Sequence, residues 1–474
     1  MLFSPNPNKR RRVQLRISER RLLMMTGDVV ALVIAILIAL YIWTLVAGYG
    51  FTIDFVLQQS YWFLILPGLW LLLASANDFF DLHVTARRSV MVQRLISITG
   101  QILIVYLLVF FFSPREELPR LFIIYYGTAS FILLGLWRML IPSLLGWASE
   151  SRHVLIVGTD WAAREIIKAI TEETENAYDV CGIIGDNGSV GQLIAGVPVI
   201  GAGSDLMNFV RRDRVSEIVV TSTRELSGET FQAVMDAYQN GVSVVPMPIL
   251  YERITGRVPV EHVNNNWAVV LPIDGKSIFN PYPLLKRIGE IVLSLIGILV
   301  FILLLPFVTL AIKLDSRGGI FYSQDRVGYK GRVFRVYKFR TMVTDAESQS
   351  GAVFSQKGDP RVTRFGRFMR KTRIDELPQL INILRGDMSL IGPRPERPEH
   401  VNRLQQNIPF YRTRLIVRPG LTGWAQVRYQ YGSTDADALV KLQYDLYYIR
   451  HQSLLLDANI IVRTAGRVLR MSGV

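Results

Sequence analysis

The sequence predicts a multidomain membrane protein: an α-helical transmembrane bundle, a parallel α/β domain, and a re-entrant membrane helix leading into a small α/β domain with amphipathic interfacial helices. Three observations predict this. Long apolar blocks crowd the first 150 or so residues. Alternating strand and helix patterns begin at His153. A fifth apolar block, Ile291 to Ile312, contains Pro306 and is followed by a segment dense in paired charges and glycine turns. At 474 residues the chain is too long for one ordinary domain, and its parts divide at 1–148, 149–272 and 273–474.

Half of the residues are hydrophobic, and the formal net charge is +14. Such a charge suits either nucleic acid or an anionic lipid surface, and the apolar blocks favour lipid over nucleic acid. Cys181 is the only cysteine, which excludes an internal disulfide framework and a multi-thiolate metal site. No small-residue cleavage motif follows the first apolar segment, so a cleavable signal peptide is not expected.

Four apolar segments are expected near 22–47, 60–76, 95–113 and 121–146. The second is short, and Trp62 and Trp70 suit an interfacial position. Basic residues at Lys9–Arg12, Arg20 and Arg21, and at Arg87, Arg88 and Arg94, place the N-terminus and the 77–94 loop in the cytoplasm. The bundle has almost no interior charge, which argues for an anchor rather than a transporter.

His153 to Gly158 reads as a buried parallel strand leading into a helix over Ala162–Thr171, with further strands at 179–184, 217–221 and 242–246. This is a Rossmann-like pattern. Its nucleotide fingerprint is degenerate, because Gly158, Asp160 and Ala163 stand where three glycines are needed. A structural or regulatory role is expected; otherwise Asp186 is the ribose-binding acid.

Basic residues flank the fifth apolar block, Lys286 and Arg287 before it and Lys313 after it. A re-entrant helix over about 288–312, broken at Pro306, keeps both flanks in the cytoplasm. A kinked spanning helix is the alternative.

Beyond it, Phe321–Arg326 and Val333–Phe339 read as a hairpin around Gly328 and Gly331. Lys338 and Arg340 share one strand face, either to hold phosphate oxygens or as a solvated basic surface. The stretch from Asp359 and Arg361 to Arg373 interleaves arginines with Phe365, Phe368 and Met369, which suits a membrane interface. A helix begins at Asp375-Glu376-Leu377-Pro378, with Leu377, Leu380, Ile381 and Leu384 on its apolar stripe. Asp375 is either its N-cap or a nucleophile favoured by the helix N-terminus, and Glu376 offers an oxygen ligand to Mg²⁺. Two prolines stiffen the chain around Arg394, whose guanidinium suits a phosphate or a base edge. Arg418 enters a second glycine turn, and Asp445 adds a carboxylate among tyrosines. The tail helix near 453–471 either lies on the bilayer or packs in the core.

Five stretches stand together: Lys338-Phe339-Arg340-Thr341-Met342, Asp375-Glu376-Leu377-Pro378-Gln379, Gly386-Asp387-Met388-Ser389, Gly392-Pro393-Arg394-Pro395-Glu396 and Pro419-Gly420-Leu421-Thr422-Gly423-Trp424. In this order and spacing the chain resembles the bacterial polyprenyl-phosphate sugar-1-phosphate transferases of exopolysaccharide and O-antigen synthesis, in their long form. The resemblance is close from about 283 onward and only architectural before that. It implies transfer of a hexose-1-phosphate from a UDP-hexose to undecaprenyl phosphate, with release of UMP, in the bacterial inner membrane with the catalytic domain on the cytoplasmic face. It implies Asp375 as the nucleophile, Glu376 as the Mg²⁺ ligand and Arg394 as the nucleotide contact. Substrate-binding roles for Lys338, Arg340, Asp359, Arg361, Arg418 and Asp445 follow less directly, and a homodimer is plausible. Two departures are Glu290, where the family has a shorter acid, and Leu305 before Pro306, where a serine is common.

Two other readings compete. A membrane-anchored nucleotide-sugar dehydratase needs intact glycines and a Tyr-x-x-x-Lys pair; Tyr282 and Lys286 have that spacing, but Pro283 lies between them. A non-enzymatic scaffold would not need the acid pair and arginines kept intact.

Overall fold

The computed structural model describes residues 17–48, 50–77, 79–80, 88–112, 121–145, 151–174, 178–221, 226–260, 280–344, 359–429, 432 and 434–469. The basic run at 9–12, Arg87 and residues 261–279 lie outside them. The chain forms two compact units, Met1–Glu150 and Ser151–Val474.

In the first unit the helices are α1 (Ile17–Ala47), α2 (Ile53–Gln58), α3 (Trp62–Ala76), α4 (Arg88–Phe112) and α5 (Phe122–Leu145). Leu23–Ala47, Ser89–Leu107 and Phe122–Leu140 are long and apolar enough to cross a membrane. The α3 helix has only 15 residues, about 22 Å against a hydrocarbon core of about 30 Å. Trp62 and Trp70 are buried in the bundle: Trp62 packs on Tyr106 and Phe122 with ring centroids 5.7 and 5.4 Å away, and Trp70 meets Phe79 edge-on.

The expectation of a nearly uncharged interior also needs correction. Asp28 on α1 and Arg138 on α5 are fully buried and form a two-pronged ion pair, with Nε of Arg138 donating to Oδ1 of Asp28 at 3.0 Å and Nη2 to Oδ2. Nη1 also donates to the Phe79 carbonyl at 3.3 Å, and the guanidinium lies over the Phe79 ring. Two isolated charges inside apolar helices escaped the sequence reading because periodicity cannot show that they meet. Burying either alone is costly; paired, each satisfies the other.

The second unit begins with a six-stranded sheet in the order β3-β4-β2-β1-β5-β6. Its strands are β1 (Arg152–Val157), β2 (Tyr178–Ile184), β3 (Leu193–Ile194), β4 (Val197–Gly201), β5 (Glu217–Val220) and β6 (Ser243–Pro246). All neighbours are parallel except β3, which pairs antiparallel with β4 at one edge. Helices α6 (Trp161–Glu173), α7 (Leu206–Arg212), α8 (Gly228–Gln239) and α9 (Met247–Thr255) accompany the sheet. The apolar run at 154–157 is fully buried, as a central parallel strand requires. Asp160, at the second fingerprint position, N-caps α6 by accepting from Ala163 N at 3.3 Å. Its carboxylate therefore stands where a pyrophosphate would otherwise meet the helix N-terminus.

The expected re-entrant segment lies within one helix, α10 (Tyr282–Asp315), of 34 residues and about 51 Å. Pro306 is inside it and does not end it. Both ends of α10 are fastened to the domain that follows. At its start, Arg287 donates to the Ile383 and Leu384 carbonyls at 2.8 and 2.9 Å, and Lys286 to the Ile391 carbonyl at 2.9 Å. At its end, the Asp315 carboxylate accepts from Phe365 N at 2.9 Å, and Val308 and Ile312 pack with Phe339 and Met369. Leu299, Phe307 and Leu314 on its outward face are exposed.

That domain opens with an antiparallel hairpin, β7 (Phe321–Val327) and β8 (Val333–Phe339), as the sequence predicts. It continues through α11 (Arg364–Thr372), a 3₁₀ turn (Ile374–Gln379), α12 (Leu380–Arg385), β9 (Ser389–Ile391), α13 (Pro398–Asn407), β10 (Gly420–Thr422), α14 (Trp424–Arg428), α15 (Asp435–Arg450) and α16 (Leu454–Leu469). Strands β9 and β10 pair in parallel. On the tail helix α16, Ile460 is buried in the core while Leu454 and Leu455 are exposed. The α/β sheet is docked on this domain: Trp424 Nε1 donates to the Gly256 carbonyl at 3.1 Å, and Glu252 accepts from Arg450 at 2.6 Å.

Candidate active site

The site is assembled from three local structures. Strand β8 carries Lys338, the 3₁₀ turn carries Asp375 and Glu376, and the loop after β9 carries Arg394. The helix expected to start at Asp375 begins as a 3₁₀ turn, and the regular α-helix starts only at Leu380. Pro378 has no N–H to give, and Arg373 just before the turn is left-handed at φ +61°. Arg373 thus ends α11 and redirects the chain so that both acids point inward. Such a conformation in a non-glycine residue costs free energy and persists only where neighbours enforce it.

Glu376 is the hub. Its Oε1 accepts from Arg394 Nη2 at 2.7 Å and from Lys338 Nζ at 2.9 Å, and its Oε2 lies 3.6 Å from Arg373 Nη1. Burial alone would raise this carboxyl, but Arg394, Lys338 and Arg373 together hold it well below the usual carboxylate range. Asp375 differs from its neighbour. It is buried, and its Oδ1 has no hydrogen-bond partner among the described residues. Burial, and then the Glu376 charge, push it above the ordinary aspartate value against the pull of Lys338, Arg373 and Arg370. Burial also lowers Lys338.

Two adjacent carboxylates therefore have opposite tendencies, one saturated with cations and one orphaned. A buried carboxylate oxygen without a donor is met by a proton, a cation or an electrophile. It is an oxygen that Mg²⁺ could take alongside substrate phosphates, and Glu376 would join it only by giving up one of its cations.

The remaining expected residues are placed elsewhere. Arg340 is buried and turned away from the site: it donates to the Arg317 and Ser316 carbonyls at 2.8 and 2.9 Å, closing the C-terminal end of α10. Asp359 and Arg361 pair with each other, Arg361 Nη2 reaching Asp359 Oδ2 at 2.7 Å. The Arg418 side chain is exposed, and its backbone is what meets the loop, since a Cβ on Gly392 would fall 2.4 Å from its carbonyl oxygen. Asp445 is 2 % exposed and lies 2.8 Å from Arg414 Nη2.

Sequence reading missed Arg326 and Arg414, and it noted Glu290 only as a departure from the family pattern without a structural role. Glu290 is buried on α10 and accepts from Ser389 Oγ and from Leu390 N at 3.2 Å, so the lengthened acid ties the membrane helix to β9. Tyr282 and Lys286 join this anchorage: Lys286 Nζ donates to the Tyr282 hydroxyl at 3.4 Å, and both are tied to Tyr448 and Asp457. The first basic flank of α10 was the available signal, but only folding reveals its partners.

The chain resembles known proteins over two stretches. The model of the bacterial sugar transferase family matches residues 281–471, and a CoA-binding domain model matches residues 75–248. The chain is 41 % identical over 256 residues to a UDP-N-acetylgalactosamine-undecaprenyl-phosphate N-acetylgalactosaminephosphotransferase of Aeromonas hydrophila, covering 53 % of this chain and 59 % of that protein. It is 33 % identical over 286 residues to a UDP-glucose:undecaprenyl-phosphate glucose-1-phosphate transferase of Xanthomonas campestris pv. campestris, covering 59 % and 58 %. Each match thus spans less than two thirds of those relatives. An exopolysaccharide production protein, PSS, of Rhizobium leguminosarum bv. phaseoli is 42 % identical over 189 residues, covering 38 % of this chain but 92 % of that protein. With a matching family model and a relative covered almost end to end, the chain belongs to the bacterial sugar transferase family.

Proposed function

We propose that the protein transfers a sugar-1-phosphate from a UDP-sugar to undecaprenyl phosphate through a covalent intermediate on Asp375. The observation that carries this reading is the orphaned, buried Oδ1 of Asp375 amid Lys338, Arg370 and Arg373. A carboxylate acting as nucleophile needs a free lone pair, and two anions can meet only where cations offset their charge.

In the first step an Asp375 oxygen attacks the β-phosphorus of the UDP-sugar. The bond from that phosphorus to the bridging oxygen breaks, UMP leaves, and an acyl phosphate carrying the sugar remains on Asp375. In the second step a phosphate oxygen of undecaprenyl phosphate attacks the same phosphorus. The Asp375 carboxylate departs, leaving an undecaprenyl-diphosphate-sugar. Lys338 and Arg394, held on Glu376 at rest, are the groups able to turn onto the diphosphate. Asp375 and Glu376 would hold Mg²⁺, which when bound neutralises charge on the transferring phosphoryl group.

The attachment of both ends of α10 to one domain supports a re-entrant placement, entering and leaving at the cytoplasmic face of the inner membrane. The acceptor lipid then meets Asp375 from the membrane side. The product would open exopolysaccharide, O-antigen or capsule synthesis, with a homodimer as the working assembly. The relatives are named for glucose and N-acetylgalactosamine phosphates, so the sugar is open to test.

Membranes carrying the native protein or Asp375→Asn are incubated with undecaprenyl phosphate, Mg²⁺ and radiolabelled UDP-glucose, UDP-galactose or UDP-N-acetylgalactosamine. Label in lipid with UMP release, both lost in the variant, is the expected result. Release of UDP, or an active Asp375→Asn, would overturn the mechanism.

A further inference from the structure

The loop that presents Arg394 is held at every carbonyl from 393 to 396, by donors from β10, from β7 and from Arg414. Pro393 O accepts from Gly420 N at 2.8 Å, and Glu396 O from Val327 N at 2.9 Å. The two between them are held by side chains: Arg394 O by Arg414 Nη2 at 3.0 Å and Pro395 O by Arg326 Nη1 at 3.1 Å. Prolines 393 and 395 have no N–H, so this loop cannot be fixed by donating from its own backbone there. Its position depends on donors brought to it.

Arg414 is the buried one of the two guanidinium donors, at 6 % exposure. Besides Arg394 O, its Nη1 donates to Tyr411 OH at 2.7 Å, and its Nη2 lies 2.8 Å from Asp445 Oδ2. Little solvent reaches this cation, and Asp445, itself 2 % exposed, supplies most of the compensating charge, with Glu396 Oε1 4.0 Å from Nη1. Only a planar fork can meet a carbonyl, a phenol and a carboxylate at once; a lysine in this place could keep the carboxylate but not the fixed geometry.

We propose that Arg414 is a positioning residue for Arg394, holding its backbone so that the guanidinium is delivered to the diphosphate, and that Asp445 acts only through Arg414. This rests on the functional reading above for what Arg394 contacts. Arg394 binds the diphosphate in the ground state and the transition state alike, so its misplacement raises KM more than it lowers kcat. Simple destabilisation does the reverse, because it reduces the folded fraction and leaves KM unchanged.

The test uses the full-length protein with two variants, Arg414→Lys, which keeps the charge pair, and Arg414→Met with Asp445→Leu, which removes both buried charges. KM for the UDP-sugar should rise about tenfold in each, with kcat per folded molecule within about threefold of native. Backbone hydrogen exchange across 392–397 should quicken in both while the 3₁₀ turn at 374–379 is unchanged. Native KM and native exchange in the double variant would overturn the proposal, as would a loss confined to kcat. Collapse of both variants would mean that the pair serves folding alone, and would overturn it too. If native protein turns over no UDP-sugar, the functional reading fails, while the exchange measurement still reports on the loop.

Discussion

Lys338 Nζ lies 2.9 Å from Glu376 Oε1, the same oxygen that Arg394 reaches at 2.7 Å. One carboxylate oxygen thus gathers cations from a strand and from a proline-stiffened loop. The two cations rest together on Glu376, and meeting a diphosphate exchanges part of that contact for phosphate oxygens.

Removing one of these cations tests that arrangement. Lys338→Met should lower kcat/KM by about 10²-fold, the usual loss for one electrostatic stabiliser of a transition state. Steady-state UMP release measures it. A variant within about threefold of native would show that Lys338 only balances Glu376.

The acid limb of the rate profile follows from Asp375. Burial and the Glu376 charge raise it, and only its ionised form attacks, so activity falls as pH drops through a value above the ordinary aspartate pKa of about 4. A bound cation favours the ionised form, so the limb should move to lower pH as Mg²⁺ rises. A limb independent of Mg²⁺ would separate the metal from Asp375.

Membrane placement is checked by cysteine labelling, after Cys181→Ser removes the native thiol. Single cysteines at Leu284 and Arg317, which flank the apolar stretch of α10, should both react with an impermeant maleimide in inside-out vesicles and neither in intact cells. Labelling of the two from opposite sides would establish a spanning helix.

The Asp28–Arg138 pair gives a stability prediction. Asp28→Asn leaves a fully buried guanidinium without its counter-charge, at a cost of about 3–5 kcal/mol. Asp28→Leu combined with Arg138→Met should recover much of it. Thermal unfolding of detergent-solubilised protein would show both, and equal melting of all three proteins would mean the pair contributes nothing.

The sequence by itself determined the elements whose signal is local. Apolar length marks α1, α4, α5 and α10, alternation marks β7 and β8, and the buried run at 154–157 marks a central parallel strand. Lys338, Asp375, Glu376 and Arg394 are among the candidates the sequence offers through the stretches that carry the family resemblance, together with Arg340, Asp359, Arg361, Arg418 and Asp445. Tertiary structure alone decided which charges meet. Lys338 on β8 and Arg340 just past its end are two residues apart, yet one reaches Glu376 and the other the carbonyls at the end of α10. Asp445 reads as a substrate ligand in sequence, and the fold buries it against Arg414, 31 residues away along the chain. Ion pairs within about 4 Å form between segments of any separation, so their partners are set by packing rather than by spacing. Periodicity reports which face of an element is apolar; it carries no information on what that face meets.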